Sequence, residues 1–295
     1  TWVFCKSLAI FYCSYGPPSL KIWVPRTRGA YFNSPSPGPS DKEKHMMCRM
    51  LPGFLGLLFY TALYGQSIEL LEAIVPQHYI AYQSIGVLEI DGKLDEPSWQ
   101  RVEWTSYFVD IEGGDKPAPR FKTRAKMLWD DTYFYVAADM EEPHVWATLK
   151  TRDARIYHDN DFEVFIDPDG DTHEYYEFEI NAHSTEWDLL LVRPYKDGGS
   201  YITAWDIAGL QKAVQVWGTI NNPRDKDAGW SVEMALPWDV LKECAHRPTP
   251  PRDGDHWRVN FSRVEWEVQV EEERYTKVAG KSEDNWVWSP QGRID

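Results

Sequence analysis

The sequence predicts an all-β fold, a two-sheet antiparallel β-sandwich of jelly-roll or immunoglobulin-like form, and three observations carry that prediction. From residue 87 onward, short alternating runs rich in aromatic and β-branched residues are separated by Gly, Pro, Asn and Asp. Helical signals are limited to single turns around Trp99 and after Pro237. Residues 159–182, DNDFEVFIDPDGDTHEYYEFEINA, place two strictly alternating runs on either side of turn residues, which is the pattern of a β-hairpin. In it Phe162, Val164 and Ile166 face one way with Tyr176, Phe178 and Ile180. Asp161, Glu163 and Phe165 face the other with Glu177, Glu179 and Asn181, because strand side chains alternate.

Taken in order, residues 1–45 read as a non-native or disordered upstream extension. They hold the tract NSPSPGPSDKEK and show no sustained period. Residues 46–65 read as a signal peptide, with Arg49 ahead of an apolar run over 51–63 and small or polar residues at Gly65, Gln66 and Ser67. Without a lipobox cysteine behind it, the expected destination is secreted or periplasmic, and the mature form is expected to have no membrane partner. Residues 66–86 form a leading segment, and 87–295 form the domain. Within it VLEI gives a short strand before the Asp91–Gly92 turn. KTRAKMLWDDTYFYVAADM gives a hairpin turning at Asp130 and Asp131, with Ala125, Met127 and Trp129 set against Tyr133, Tyr135 and Ala137. WDLLLV, AVQVWGTI, GWSVEMALP, WRVNFSRVEW, RYTKV and NWVW complete the strands.

The formal charge of −15 argues against nucleic acid as a partner, since phosphate binding requires basic patches. With 15 Trp and 16 Tyr the chain carries more rings than packing ordinarily uses, and surplus rings suit a binding face. Cys244 is the one cysteine past the apolar run, so neither a disulfide framework nor a thiolate metal cluster is expected there. The histidines lack paired metal-ligand spacing, and no organic cofactor is expected. Asp167, Asp169 and Asp171 have the alternation of a calcium loop, although a plain hairpin turn accounts for them without an ion.

In order along the chain, IDGKLDEPSW, AKMLWDDTYFYVAADM, DNDFEVFIDPDG, YYEFEINA, GWSVEMALPW and WRVNFSRVEW resemble the family 9 carbohydrate-binding modules, within the wider DOMON-like sandwiches. The resemblance implies a sandwich that binds an oligosaccharide or polysaccharide without cutting it, holding a sugar between two aromatic side chains, with calcium as a structural ion. It places Tyr157 and Trp288 at the aromatic clamp, and Glu163, Glu179, Asn181 and Asn260 at the polar positions. The chain departs from the family at Tyr157, where Trp is usual, and at Glu179, where a basic residue can occur. Trp286 and Trp288 alternate with Asn285 and Val287, which suits two core residues equally well. The family sandwich has one more strand after the WS step, so the C-terminal strand is expected to be missing. A monomer is expected. Two other function classes stay open: a glycoside hydrolase using Asp161 and Glu163, disfavoured because a strand so acidic reads as solvated, and a haem-binding sandwich, for which no spacing selects axial ligands.

Overall fold

The computed structural model describes residues 9–14, 76–114 and 116–292. The expected signal peptide and most of the upstream extension lie outside the described residues. The strands are β1 (Ala9–Ser14), β2 (His78–Gln83), β3 (Val109–Asp110), β4 (Thr123–Trp129), β5 (Tyr133–Glu141), β6 (Asp161–Asp167), β7 (Tyr175–Asn181) and β8 (Glu186–Leu191). They continue with β9 (Tyr201–Ile202), β10 (Gln211–Trp217), β11 (Gly229–Pro237), β12 (His256–Glu265), β13 (Val268–Glu271), β14 (Arg274–Lys277) and β15 (Asp284–Val287). Two single-turn helices, α1 (Pro97–Gln100) and α2 (Trp238–Leu241), fall where the sequence places helical turns. Pro97 opens α1, where its missing N–H costs nothing.

One layer runs β10–β11–β5–β4–β2, and the other runs β12–β6–β7–β8–β9, with β15 beside β12 and β3 beside β15. β1 lies between β2 and β12 and links the two runs. The core joins Met127, Phe134, Val136 and Met234 of the first layer to Phe162, Val164, Phe178 and Phe261 of the second. The fold is thus nearly all β and sandwich-like, as the alternation predicts.

Four expectations are corrected. Residues 87–90 form no strand; His78–Gln83, in the leading segment, is the strand instead. Its pairing with β4 is parallel, through Tyr82 to Leu128 and Gln83 to Trp129, as is its pairing with β1, so the sheets are not purely antiparallel. β1 itself falls in the stretch read as a non-native or disordered extension, where it takes up strand pairing. Across the β4–β5 turn, Ala125, Met127 and Trp129 oppose Ala138, Val136 and Phe134. Tyr133, Tyr135 and Ala137 pack on the opposite face with Trp99 and Leu128.

Candidate functional site

The β6–β7 hairpin keeps its predicted polarity. Phe162, Val164, Ile166, Tyr176, Phe178 and Ile180 all enter the core. The other face is a continuous surface set by register: Glu163 opposes Glu179 on one side and Ser262 on the other, and Glu179 opposes Trp187. Two 3-10 turns lie over this face. Ile156–His158 docks Tyr157, whose backbone N–H donates to Glu179 Oε2 at 3.0 Å while its carbonyl accepts from Trp266 Nε1 at 2.8 Å. Tyr195–Asp197 brings Tyr195 Oη to donate to Glu177 Oε2 at 2.6 Å.

The carboxylates are therefore buried rather than solvated, which corrects the sequence reading: Asp161, Glu163 and Glu179 expose 0%, 7% and 2% of their surface. One oxygen from each lies within 4.8 Å of the others. Two charges at that spacing, at an effective permittivity of about 20, repel by roughly 3 kcal/mol. None of the three forms an ion pair among the described residues. Burial raises the pKa of all three, and neighbouring carboxylates add to this for Asp161 and Glu179. Glu163 is pushed up to about 7 by burial, opposed by a hydrogen bond from Ser262. Around the cluster runs an arc of rings, with centroids 6.1 Å apart for Tyr157 and Trp187, 6.1 Å for Trp187 and Tyr201, and 6.0 Å for Tyr195 and Tyr201. Tyr195 and Tyr201 leave 38% and 40% of their surface open, and the buried Trp187 Nε1–H has no hydrogen-bond partner.

The structure gathers three of the sequence-predicted residues, Tyr157, Glu163 and Glu179, and sets three apart. Asn181 spends its amide internally, donating to Leu149 O and Asp159 Oδ2 and accepting from the backbones of His183 and Thr185. Asn260 pins the WS step, donating to Ser289 O and accepting from Ser289 N, both at 3.0 Å. Trp288 is 2% exposed and packs against Phe261 and Tyr79, so the core alternative holds and the expected clamp with Tyr157 does not form. In the hairpin turn, Asp167 accepts from Gly170 N and Thr172 N, Asp169 from Asp171 N, and Asp171 from His173 N. These are the bonds of a plain turn. Sequence reasoning placed Glu177 on this face and missed Trp187, Tyr195 and Tyr201 as members of it. Register from Glu179 would have found Trp187, whereas the two tyrosines come from loops without a period.

The hairpin face thus sets buried acceptor oxygens beside partly open aromatic rings on one side of the β-sandwich. The family model for "Carbohydrate family 9 binding domain-like" proteins matches residues 90–252, and the chain belongs to that family. Similar proteins include Exoglucanase XynX of Acetivibrio thermocellus, 28% identical over 162 residues, covering 55% of this chain and 12% of that one. Endo-1,4-beta-xylanase A of Thermoanaerobacterium saccharolyticum is 29% identical over 162 residues, with the same shares. The chain thus spans 12% of the length of these two relatives. Among solved structures, a family 9 carbohydrate-binding module from Caldicellulosiruptor kristjanssonii in complex with glucose aligns with a TM-score of 0.44 and 17% identity, over 72% of this chain and 90% of that one. A putative carbohydrate-binding protein from Bacteroides uniformis aligns with a TM-score of 0.48 and 17% identity, over 72% and 92%.

Proposed function

We propose that this is a secreted, non-catalytic carbohydrate-binding protein serving glycan breakdown, and that it holds a sugar unit on the outer face of the β6–β7 hairpin. The observation that carries the reading is the set of buried carboxylates under open aromatic rings. A sugar offers apolar C–H faces to rings and hydroxyls to acceptors and donors. Tyr201 and Tyr195 supply open ring surface beside Tyr157. Glu163 and Glu179 supply polar oxygens, and Trp187 Nε1 a free donor. The relatives are named as an exoglucanase and a xylanase, which makes β-1,4-linked gluco- and xylo-oligosaccharides the first ligands to try.

Calorimetry of the folded chain against that panel is the test. Tyr157→Ala and Tyr201→Ala should each weaken binding about tenfold, the loss of roughly 1–1.5 kcal/mol of ring contact. Unchanged affinity in both would remove the site from this face. Secretion is tested by N-terminal sequencing of exported protein, which should begin at or near Gln66 and therefore leave β2 and β12 without β1 between them. A second reading is favoured by one observation: an acid pushed up to about 7 lies close to another carboxylate, as in a glycoside hydrolase. Reducing-sugar release that vanished in Glu163→Gln would transfer the conclusion to it.

A further inference from the structure

The hairpin floor holds a contrast between two aspartates only two residues apart, both fully buried. Asp159 accepts from Thr148 N, Thr148 Oγ1, Leu149 N and Asn181 Nδ2, so both of its oxygens are occupied. Asp161 accepts one bond, from Val264 N to Oδ1 at 3.2 Å, and its Oδ2 is buried without any partner. Leaving a carboxylate oxygen unpartnered in a protein interior is costly, and native structures ordinarily satisfy such groups. Here the unpartnered group belongs to a cluster with Glu163 and Glu179 whose oxygens converge within 4.8 Å. Glu177 stands close enough to add its own repulsion to both Asp161 and Glu179.

We propose that Asp161, Glu163 and Glu179 bind a divalent cation, calcium by preference, beneath the aromatic arc. The donors are all carboxylate oxygens, with no imidazole or thiolate among them, which selects a hard cation over zinc or copper. Calcium suits better than magnesium because its coordination is larger and more adaptable, and a sheet fixes these side chains by strand register rather than in an octahedron. The cation also supplies the countercharge that no Lys or Arg supplies to these three among the described residues. Three side chains leave coordination positions for water or for ligand hydroxyls, so the ion would couple the acidic floor to whatever lies under the rings. The calcium that the family resemblance implies is thereby assigned to the covered hairpin face and not to the Asp167–Asp169–Asp171 turn. The turn is largely satisfied by its own amides.

The cation site shares its floor with the proposed sugar site but does not depend on it, and the experiment separates the two. The full chain, freed of metal by chelator, is titrated with calcium chloride by calorimetry. In parallel it is titrated with terbium, whose emission is sensitised by nearby rings such as Trp187. We expect one saturable site, with a dissociation constant on the order of 10⁻⁵ to 10⁻³ M, magnesium weaker, and protons released on binding as calcium displaces them. Asp161→Asn should weaken calcium at least tenfold, with Glu163→Gln as the second variant should the first not fold. Asp171→Asn should leave affinity unchanged. Absence of saturable calcium or terbium binding up to roughly 10 mM overturns the inference, as does calcium affinity that follows Asp171→Asn instead. Calcium uptake without sugar binding leaves this inference standing and fells the proposed function. Sugar binding that survives chelation, with no calcium uptake, does the reverse.

Discussion

Two sets of buried carboxylates are treated in opposite ways. Glu142 and Glu265 converge on Arg263, whose Nη2 donates to both at 2.8 Å, while its Nε donates to Glu265 at 3.1 Å and its Nη1 to Thr123 Oγ1 and Glu141 O. The guanidinium is completely buried and lies over the Phe121 and Trp286 rings. Asp161, Glu163 and Glu179, on the outer face of β6 and β7, meet no guanidinium among the described residues. In the first set both carboxylates meet one guanidinium through fixed hydrogen bonds, although burial, with a contribution from Glu142, still pushes Glu265 well above the usual carboxylate range. The second is open, and an open buried set costs stability unless a proton, a cation or a ligand completes it. Burial alone does not distinguish a site from a scaffold; whether a guanidinium meets the carboxylates does.

The largest way to break the comparison is to open the closed set. Arg263→Leu leaves Glu142 and Glu265 buried without their cation and should cost about 3–5 kcal/mol in urea denaturation. A loss under about 1 kcal/mol would mean that the two carboxylates readily take up protons, and that the sets are alike after all.

A similar cost is expected at Trp288, which separates fold from binding. Trp288→Ala empties a core position between Phe261 and Tyr79 and should lose about 3–5 kcal/mol. Tyr157→Ala, at a half-buried position within the covering turn, should lose less stability and more affinity. If Trp288→Ala stayed as stable as the parent while sugar binding vanished, the clamp that the resemblance implies would be restored.

Next in size is the pH dependence of the open set. The folded-state value of Glu163, about 7, lies above its ordinary 4.5. The folded protein therefore holds a proton that the unfolded chain releases between those values. This stabilisation is fully present below pH 4.5 and is lost as pH rises through 7, with a slope of up to roughly 1.4 kcal/mol per pH unit. Denaturation midpoints in chelator at pH 5 and pH 7 should show it, and Glu163→Gln should flatten the difference.

How much of this was legible in the sequence depends on whether one strand face or two are buried. The β6–β7 alternation could be read because its faces differ chemically, apolar on one side and acidic on the other. In β5, Phe134, Val136 and Ala138 enter one core while Tyr135 and Ala137 enter another, so alternation gave no phase and the wrong triplet was set against β4. Trp286 and Trp288 both lie in the core, where a period-2 pattern cannot say which ring is free. The burial of Glu163 and Glu179 was not legible at all. What covers them comes from residues 156–158 and 195–202, joined to the hairpin by contacts that no local pattern encodes. Of the residues the resemblance names, Glu163 and Glu179 are neighbours through strand register, and Tyr157 joins them from a 3-10 turn by its backbone bond to Glu179. Asn181 and Asn260 direct their amides to internal bonds, the first to Leu149 and Asp159 and the second to Ser289.

The smallest expected effect completes the comparison with a third acidic group, the hairpin turn. Asp171 is exposed, and its Oδ1 accepts from His173 N at 2.8 Å. Asp171→Asn keeps an acceptor oxygen in the same place while removing one negative charge from a chain of net charge −15. The turn bond weakens slightly as the acceptor becomes neutral, while repulsion from Asp169 and the buried Asp167 is relieved. The two changes oppose each other, so stability should move by less than about 0.5 kcal/mol. Any gain should shrink as salt screens the repulsion, which falls off over about 10 Å at 0.1 M ionic strength. Denaturation at low and high salt checks this. A loss of more than about 1 kcal/mol that calcium reversed in the parent but not in the variant would show the turn to be a cation site in its own right, and the contrast between satisfied and unsatisfied carboxylates would no longer mark where the ion goes.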